Sequence, residues 1–229
     1  MSLRRWEDLP AELRTEAVRP YYEYLDRKRF SLGCKRVFDV CASLILLSLI
    51  WPVFVILAAA VKLDSPGPVF YRQERVTRYG RVFRIHKFRS MCDGADRRGA
   101  LVTVGQDARV TRVGRMIRAC RLDETAQLID VLKGDMSFVG TRPEVPKYVS
   151  AYTDEMRATL LLPAGVTSEA SIRFKDEAAL LDGAADPDEA YINLVLPGKM
   201  AINLRAVAEY GFWKEIGVLF RTVAAVVKK

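Results

Sequence analysis

Histidine is nearly absent from this chain: His86 is the only one in 229 residues. A Ser–His or Cys–His catalytic pair would have to be built on that single imidazole, and no cysteine stands in evident relation to it. Cysteine is also scarce. Cys34, Cys41, Cys92 and Cys120 form no CxxC and no paired spacing, which argues against a disulfide framework. Cys41 lies inside an apolar run, so reduced thiols in a cytosolic compartment account best for the set. No zinc-finger spacing, RNA- or DNA-binding signature or aromatic–basic repeat is present. Nucleic acid is therefore the weakest explanation of the basic charge.

That charge is considerable. Lys and Arg outnumber Asp and Glu by 36 to 28, a formal +8. The remaining explanations are an anionic membrane surface and phosphorylated substrates. At 229 residues the chain is one domain, or one domain with a membrane-embedded piece, and is long enough to bury a core.

Val40 to Val61 carries no charge and supplies that membrane piece. As a straight helix it would reach about 33 Å, against a hydrocarbon core of about 30 Å. It starts too far into the chain, after too charged a segment, to be a cleavable signal. Pro52 removes the bond to the Ser48 carbonyl and predicts a kink. Basic residues flank both ends, Arg27, Lys28, Arg29, Lys35 and Arg36 before and Lys62, Arg72, Arg75 and Arg78 after. The positive-inside rule thus pulls both ends toward the cytoplasm. A helix broken at Pro52 that enters and leaves by one face satisfies both pulls. A bitopic anchor with a tolerated proline is the alternative, and the residues alone leave both open.

The densest chemical signal is Arg118 to Glu144, RACRLDETAQLIDVLKGDMSFVGTRPE. Asp123 and Glu124 open an apolar-periodic segment (Ala126, Leu128, Ile129, Val131, Leu132) that Gly134 ends. Arg112, Arg115, Arg118 and Arg121 precede the pair and Arg142 follows it. A carboxylate pair at a helix N-terminus, ringed by arginines, suits a site that handles a metal and a phosphate. Taken alone, an N-cap Asp123 and a first-turn Glu124 would each be worth about 1 kcal/mol at best and need no function.

Upstream, the β-rich runs Val69 to Val76 and Arg81 to Phe88, joined by Thr77-Arg78-Tyr79-Gly80, predict a hairpin. In a strand, Lys87 and Arg89 share a face with Cα atoms about 6.5–7 Å apart, able to engage a diphosphate or to form a solvated basic edge. His86 faces away and reads as structural. Arg109 to Arg121 predicts a helix with a basic face, Asp130 reads as a plain surface residue, and Asp135 as an Asx-turn residue.

The first forty residues read as helix, with Pro10 in a first turn and Pro20 ending or bending the element. Trp6, Tyr21, Tyr22, Tyr24 and Phe30 among arginines suit an interfacial position. Beyond Pro143, short helices are expected at Thr153 to Leu162 and Lys175 to Leu181, with loop or strand at Ala164 to Phe174 and a new segment opened by Asp186-Pro187. The last helix, Phe212 to Val227, is amphipathic, and either core packing or in-plane membrane association would use its apolar stripe.

With KFRSM (Lys87 to Met91) upstream and VGTRP (Val139 to Pro143) downstream, the Asp123–Glu124 run resembles the small monotopic phosphoglycosyl transferases, which start the assembly of lipid-linked glycans in bacteria. The resemblance covers Lys35 to Pro143 and continues more loosely through PAGVTSEASIRFKDE and LPGKMAINL. It implies a mainly α fold with a small β-hairpin. A re-entrant membrane helix (helix–break–helix) is joined to a compact cytoplasmic α/β catalytic domain with interfacial amphipathic helices. The divisions expected are 1–34, an N-terminal interfacial segment, 35–62, the re-entrant helix, and 63–229, the catalytic domain.

The implied reaction moves a sugar phosphate from a UDP-sugar to a polyprenol phosphate, giving polyprenyl-diphospho-sugar and UMP. By the resemblance Asp123 is the nucleophile, forming a phosphosugar aspartate, and Glu124 helps bind Mg²⁺. Lys87, Arg89, Arg118 and Arg142 would hold phosphate oxygens, and Ser48 and Pro52 would shape the membrane helix break. The implied partners are UDP-sugar, polyprenol phosphate and membrane lipids, without nucleic acid, and a homodimer is left open. The implied location is the bacterial inner (cytoplasmic) membrane, with the catalytic domain facing the cytoplasm. Two departures stand out: Trp51 where relatives often place serine before the break proline, and Thr141 where many have proline. The rival readings are a membrane-anchored basic domain that binds lipid or a partner without catalysis, and a single-step transferase in which Asp123 is a base or metal ligand.

Overall fold

The computed structural model describes residues 2–95, 108–175, 177, 181, 184 and 186–227. Parts of the expected loop Met91 to Gly105 and of the expected helix Lys175 to Leu181 lie outside them.

The N-terminal segment departs from the expected helix. It makes two single 3₁₀ turns, Trp6–Asp8 and Ala11–Leu13, before helix α1, Arg19–Asp26. Pro20 starts α1 instead of ending an element, because in the first turn its missing N–H costs no bond. Tertiary packing overrides local helix preference here. Leu3, Leu9, Leu13, Val18, Tyr22 and Leu25 are buried in one cluster with Tyr148, Leu161, Leu196, Met200 and Val207. The tyrosines find protein partners: Tyr21 donates to Glu155 (2.7 Å), Tyr22 to the Arg4 carbonyl (2.9 Å) and Tyr24 to the Tyr210 carbonyl (3.0 Å).

Helix α2 runs unbroken from Arg29 to Asp64 with Pro52 inside it, so the expected pair of helices is one continuous helix. Its start precedes the boundary drawn at residue 35, and Ser48 and Pro52 are both exposed. The serine whose hydroxyl bonds back along the helix is Ser43, to the Val40 carbonyl (3.1 Å). Ile45, Leu49, Trp51 and Ile56 are each at least 60% exposed, a bare apolar surface.

Both ends of α2 are fastened to the rest of the chain. Near the start, Lys35 donates to the Val139 carbonyl (2.8 Å) and pairs with Glu215 (2.5 Å). Arg36 donates to the Val131 and Leu132 carbonyls, both at 2.7 Å. Asp39 accepts from Ser137 and from the Phe138 N–H. Toward the end, Leu57 and Val61 are buried with Phe88, Ile117 and Ala126.

Strands β1, Phe70–Val76, and β2, Val82–Phe88, form the expected antiparallel hairpin, Phe70 opposite Phe88 and Val76 opposite Val82. Its turn bends through the left-handed Tyr79 (φ 61°) and Gly80 (φ 74°). Helix α3 spans Arg112–Ala119, capped by Thr111, whose hydroxyl accepts the Gly114 N–H (3.0 Å). A 3₁₀ turn, Leu122–Gln127, leads into α4, Leu128–Lys133, which Gly134 closes at φ 87°.

A second, parallel sheet pairs β3, Met136–Val139, with β4, Ala164–Thr167. Gly165 is essential to it: a Cβ there would meet the Gly140 nitrogen and oxygen at 2.2 Å. Gly165→Ala is expected to lower stability by about 2–3 kcal/mol, seen as a reduced urea midpoint. An unchanged midpoint would show that the crossing is not close. The chain ends in α5, Leu196–Ala208, and α6, Phe212–Val227. On α6, Trp213, Phe220 and Val223 stay exposed.

Candidate active site

Asp123 and Glu124 sit in the 3₁₀ turn ahead of α4. Arg121, just before them, is left-handed (φ 53°, ψ 24°), a conformation that costs a non-glycine residue about 1–2 kcal/mol. The strained entry turns the pair off the helix axis and toward β2. Glu124 Oε1 accepts from Lys87 Nζ (3.0 Å) and from Arg142 Nη2, and Oε2 from Arg142 Nη1 (3.3 Å). Burial disfavours its charge, yet Arg142 and Lys87 outweigh that and hold its carboxyl well below the usual range. Glu124 is a fixed anion between two cations.

Asp123 is placed differently. Its carboxylate has no side-chain partner among the described residues and faces a cavity of about 450 Å³ shared with Phe70, Arg75, Lys87 and Arg118. Burial, then the neighbouring Glu124 charge, pushes its carboxyl up, while Lys87 and Arg118 pull the other way. Arg118 Nε donates to Ser90 (2.8 Å). Lys87, Arg118, Arg142, Asp123 and Glu124 are thus brought together as expected.

Arg89 is not. It borders the cavity, but its guanidinium donates to the Val61 (3.3 Å), Ser65 (2.7 Å) and Pro66 (2.5 Å) carbonyls. It caps the end of α2, because the strand that carries Lys87 stops at Phe88 and the shared face is lost. Asp130 is likewise no surface residue. It is fully buried and accepts from the His86 N–H (2.8 Å), with its other oxygen 2.6 Å from His86 Nδ1. This pair locks β2 to α4, which sets Lys87 against Glu124. Asp135 pairs with Arg81 at 2.5 Å.

Two features went unread in the sequence. Arg75 of β1 lines the cavity, and its number suggested only membrane-flanking charge. Behind Arg142, Glu144 accepts from Tyr191 (2.5 Å), and Lys199 reaches Tyr191 (2.7 Å) and Glu177 (2.9 Å). The TRPE and LPGKM runs held Glu144 and Lys199, but their meeting with Tyr191 and Glu177 is tertiary. Among the described residues no group of three or more His, Cys, Asp or Glu could hold a metal. Magnesium on a diphosphate needs less, one or two carboxylates plus phosphate oxygens, and the Asp123–Glu124 pair fits that demand.

Such a site offers one carboxylate without a side-chain partner among the described residues, one clamped carboxylate and several cations around a cavity: equipment for moving a phosphorylated group. Residues 30–229 match the bacterial sugar transferase family. The chain belongs to that family. The chain is 34% identical over 195 residues to the UDP-N-acetylgalactosamine-undecaprenyl-phosphate N-acetylgalactosaminephosphotransferase of Aeromonas hydrophila, covering 84% of the chain and 43% of the relative. It is 35% identical over 192 residues to the UDP-glucose:undecaprenyl-phosphate glucose-1-phosphate transferase of Caulobacter vibrioides, covering 82% of the chain and 68% of the relative. The Escherichia coli protein of that same name is 33% identical over 193 residues, covering 82% of the chain and 39% of the relative. The chain thus spans less than half the length of two of these relatives. The family match begins at residue 30, one residue into α2.

Proposed function

We propose that this chain transfers a sugar phosphate from a UDP-sugar to a polyprenol phosphate through a covalent aspartate intermediate. The observation that carries the reading is the unequal state of two adjacent carboxylates. Glu124 is clamped and held ionised, whereas Asp123 has no side-chain partner among the described residues, is pushed up in pKa and is open to a cationic cavity. A more basic, unencumbered carboxylate is the better nucleophile.

In the first step an Asp123 oxygen bonds to the β-phosphorus, and the bond from that phosphorus to the bridging oxygen breaks. The electron pair leaves with UMP. In the second step a polyprenol phosphate oxygen bonds to the same phosphorus and frees the Asp123 carboxylate. Lys87, Arg118 and Arg142 hold the phosphate oxygens, the arginines through their forks. Magnesium bound by the carboxylate pair and the diphosphate would neutralise charge and improve UMP as a leaving group. The relatives' names carry two different sugars, N-acetylgalactosamine and glucose, so the family alone does not fix the donor sugar.

The membrane reading is a shallow insertion of α2 from the cytoplasmic face of the inner membrane. Leu44 to Val53, the stretch between its two fastened ends, is about 15 Å long, too short to cross a hydrocarbon core of about 30 Å. The exposed Trp213, Phe220 and Val223 would lay α6 in the same interface. Cysteines placed at the exposed Phe30 and Leu63, in a protein without its native thiols, should both label from the cytoplasmic side. Labelling from opposite sides would make α2 a true span.

Turnover should show an acid limb. Attack needs the Asp123 carboxylate, so activity is lost as pH falls through its raised pKa, above the ordinary aspartate value of about 3.9. A limb at or below that value would remove Asp123 from the role. The function itself is tested by UMP release from a panel of UDP-sugars with polyprenol phosphate. No UMP from any of them would leave a lipid-binding domain.

A further inference from the structure

We infer that Arg75 is a phosphate-binding residue of this site, its guanidinium completed by an anionic group of the ligand; this rests on the function proposed above. Among the described residues, six cationic side chains and two carboxylates line the cavity in front of Asp123. Two of these cations, Lys87 and Arg89, are already engaged, as is the neighbouring Arg142. Lys87 and Arg142 share Glu124, and Arg89 is spent on three carbonyls. Arg75 has only neutral acceptors among the described residues, the Pro143 carbonyl (3.1 Å) and Gln73 Oε1 (2.6 Å). Its Nε–H is buried without a hydrogen-bond partner among the described residues. The carboxylate whose charge most favours it, Glu144, is bonded to Tyr191 and Lys199 instead.

A guanidinium does not give up its proton to escape burial, so an unmatched one is a standing cost to the fold. Burial does pull Arg75 downward from the usual range, with Arg142 adding repulsion. An arriving phosphate oxyanion removes that cost, and the same charge would otherwise weaken the fold without return. The fork of Arg75 also ties the cavity wall to Pro143, next to Arg142, so one ligand would engage both arginines.

Two ligands bring phosphate here, the donor diphosphate and the lipid phosphate. The test measures equilibrium binding of UDP, inorganic pyrophosphate and geranyl phosphate to the Asp123→Asn protein in detergent, so that no turnover intervenes. Adding Arg75→Gln should weaken UDP and pyrophosphate at least tenfold if the donor is the source, or geranyl phosphate if the acceptor is. Arg75→Lys, which keeps the charge but not the fork, should stay within about threefold. Unchanged binding of all three ligands in Arg75→Gln overturns the assignment while leaving the site intact. A Lys variant as weak as Gln also overturns it, because Arg75 would then only brace Pro143. Should Arg75→Gln not fold, Arg75→Met, which also removes the charge, is read by the same limits. If the parent protein binds none of the three, the proposed function falls together with Arg75.

Discussion

Asp123→Asn should lower UMP release by at least about 10⁴-fold, because the amide is neutral and a poor nucleophile toward phosphorus. The fold should barely notice. Asp123 makes no side-chain bond among the described residues, and its burial already works against its charge. The measurement is turnover alongside the urea midpoint. A loss in turnover with an unchanged or slightly raised midpoint is the expected pair of results. Turnover within tenfold of the parent would return Asp123 to the role of a helix-start acid.

Glu124→Gln is expected to act on both stability and rate. Removing its charge leaves Lys87 and Arg142 facing one another, both more than two-thirds buried at the side chain. Breaking such a pair from one side costs roughly 3 kcal/mol. The sign with pH follows from the lowered Glu124 pKa. Its stabilisation is present above the unfolded value of about 4.3 and is lost as pH falls through the lower folded one. Turnover should fall by about 10²–10³-fold. Combining it with Arg142→Gln should recover part of the stability and none of the rate. Recovery of rate would mean that Glu124 serves only to neutralise Arg142.

What could be read from the sequence was set by local rules. The hairpin follows from two β-rich runs around a Tyr79-Gly80 turn, and the last helix from its apolar period. Gly134 ends α4 as expected because glycine alone takes φ 87° freely. The carboxylate pair, Lys87, Arg118 and Arg142 meet as the order of motifs implied. What failed was decided by tertiary contacts. Asp130 looked exposed because helical spacing cannot show that the one histidine would bury itself against it. Arg89 lost its expected role once β2 stopped one residue short. Strand was one of two readings at Ala164 to Phe174, where β4 lies, but β3 and its pairing with β4 were missed because a four-residue strand carries no readable alternation and the pairing joins residues more than twenty apart. The N-terminal turns were missed because burial of Leu9 and Leu13 outweighs helix propensity.

The central claim is that Asp123 carries the phosphosugar between donor and lipid. Intact mass spectrometry after incubation with the accepted UDP-sugar alone addresses it most directly. The account predicts a mass increase equal to one sugar phosphate, mapped to the peptide holding Asp123 and discharged by adding polyprenol phosphate. Turnover with lipid present but no protein-bound phosphosugar at any time would contradict it.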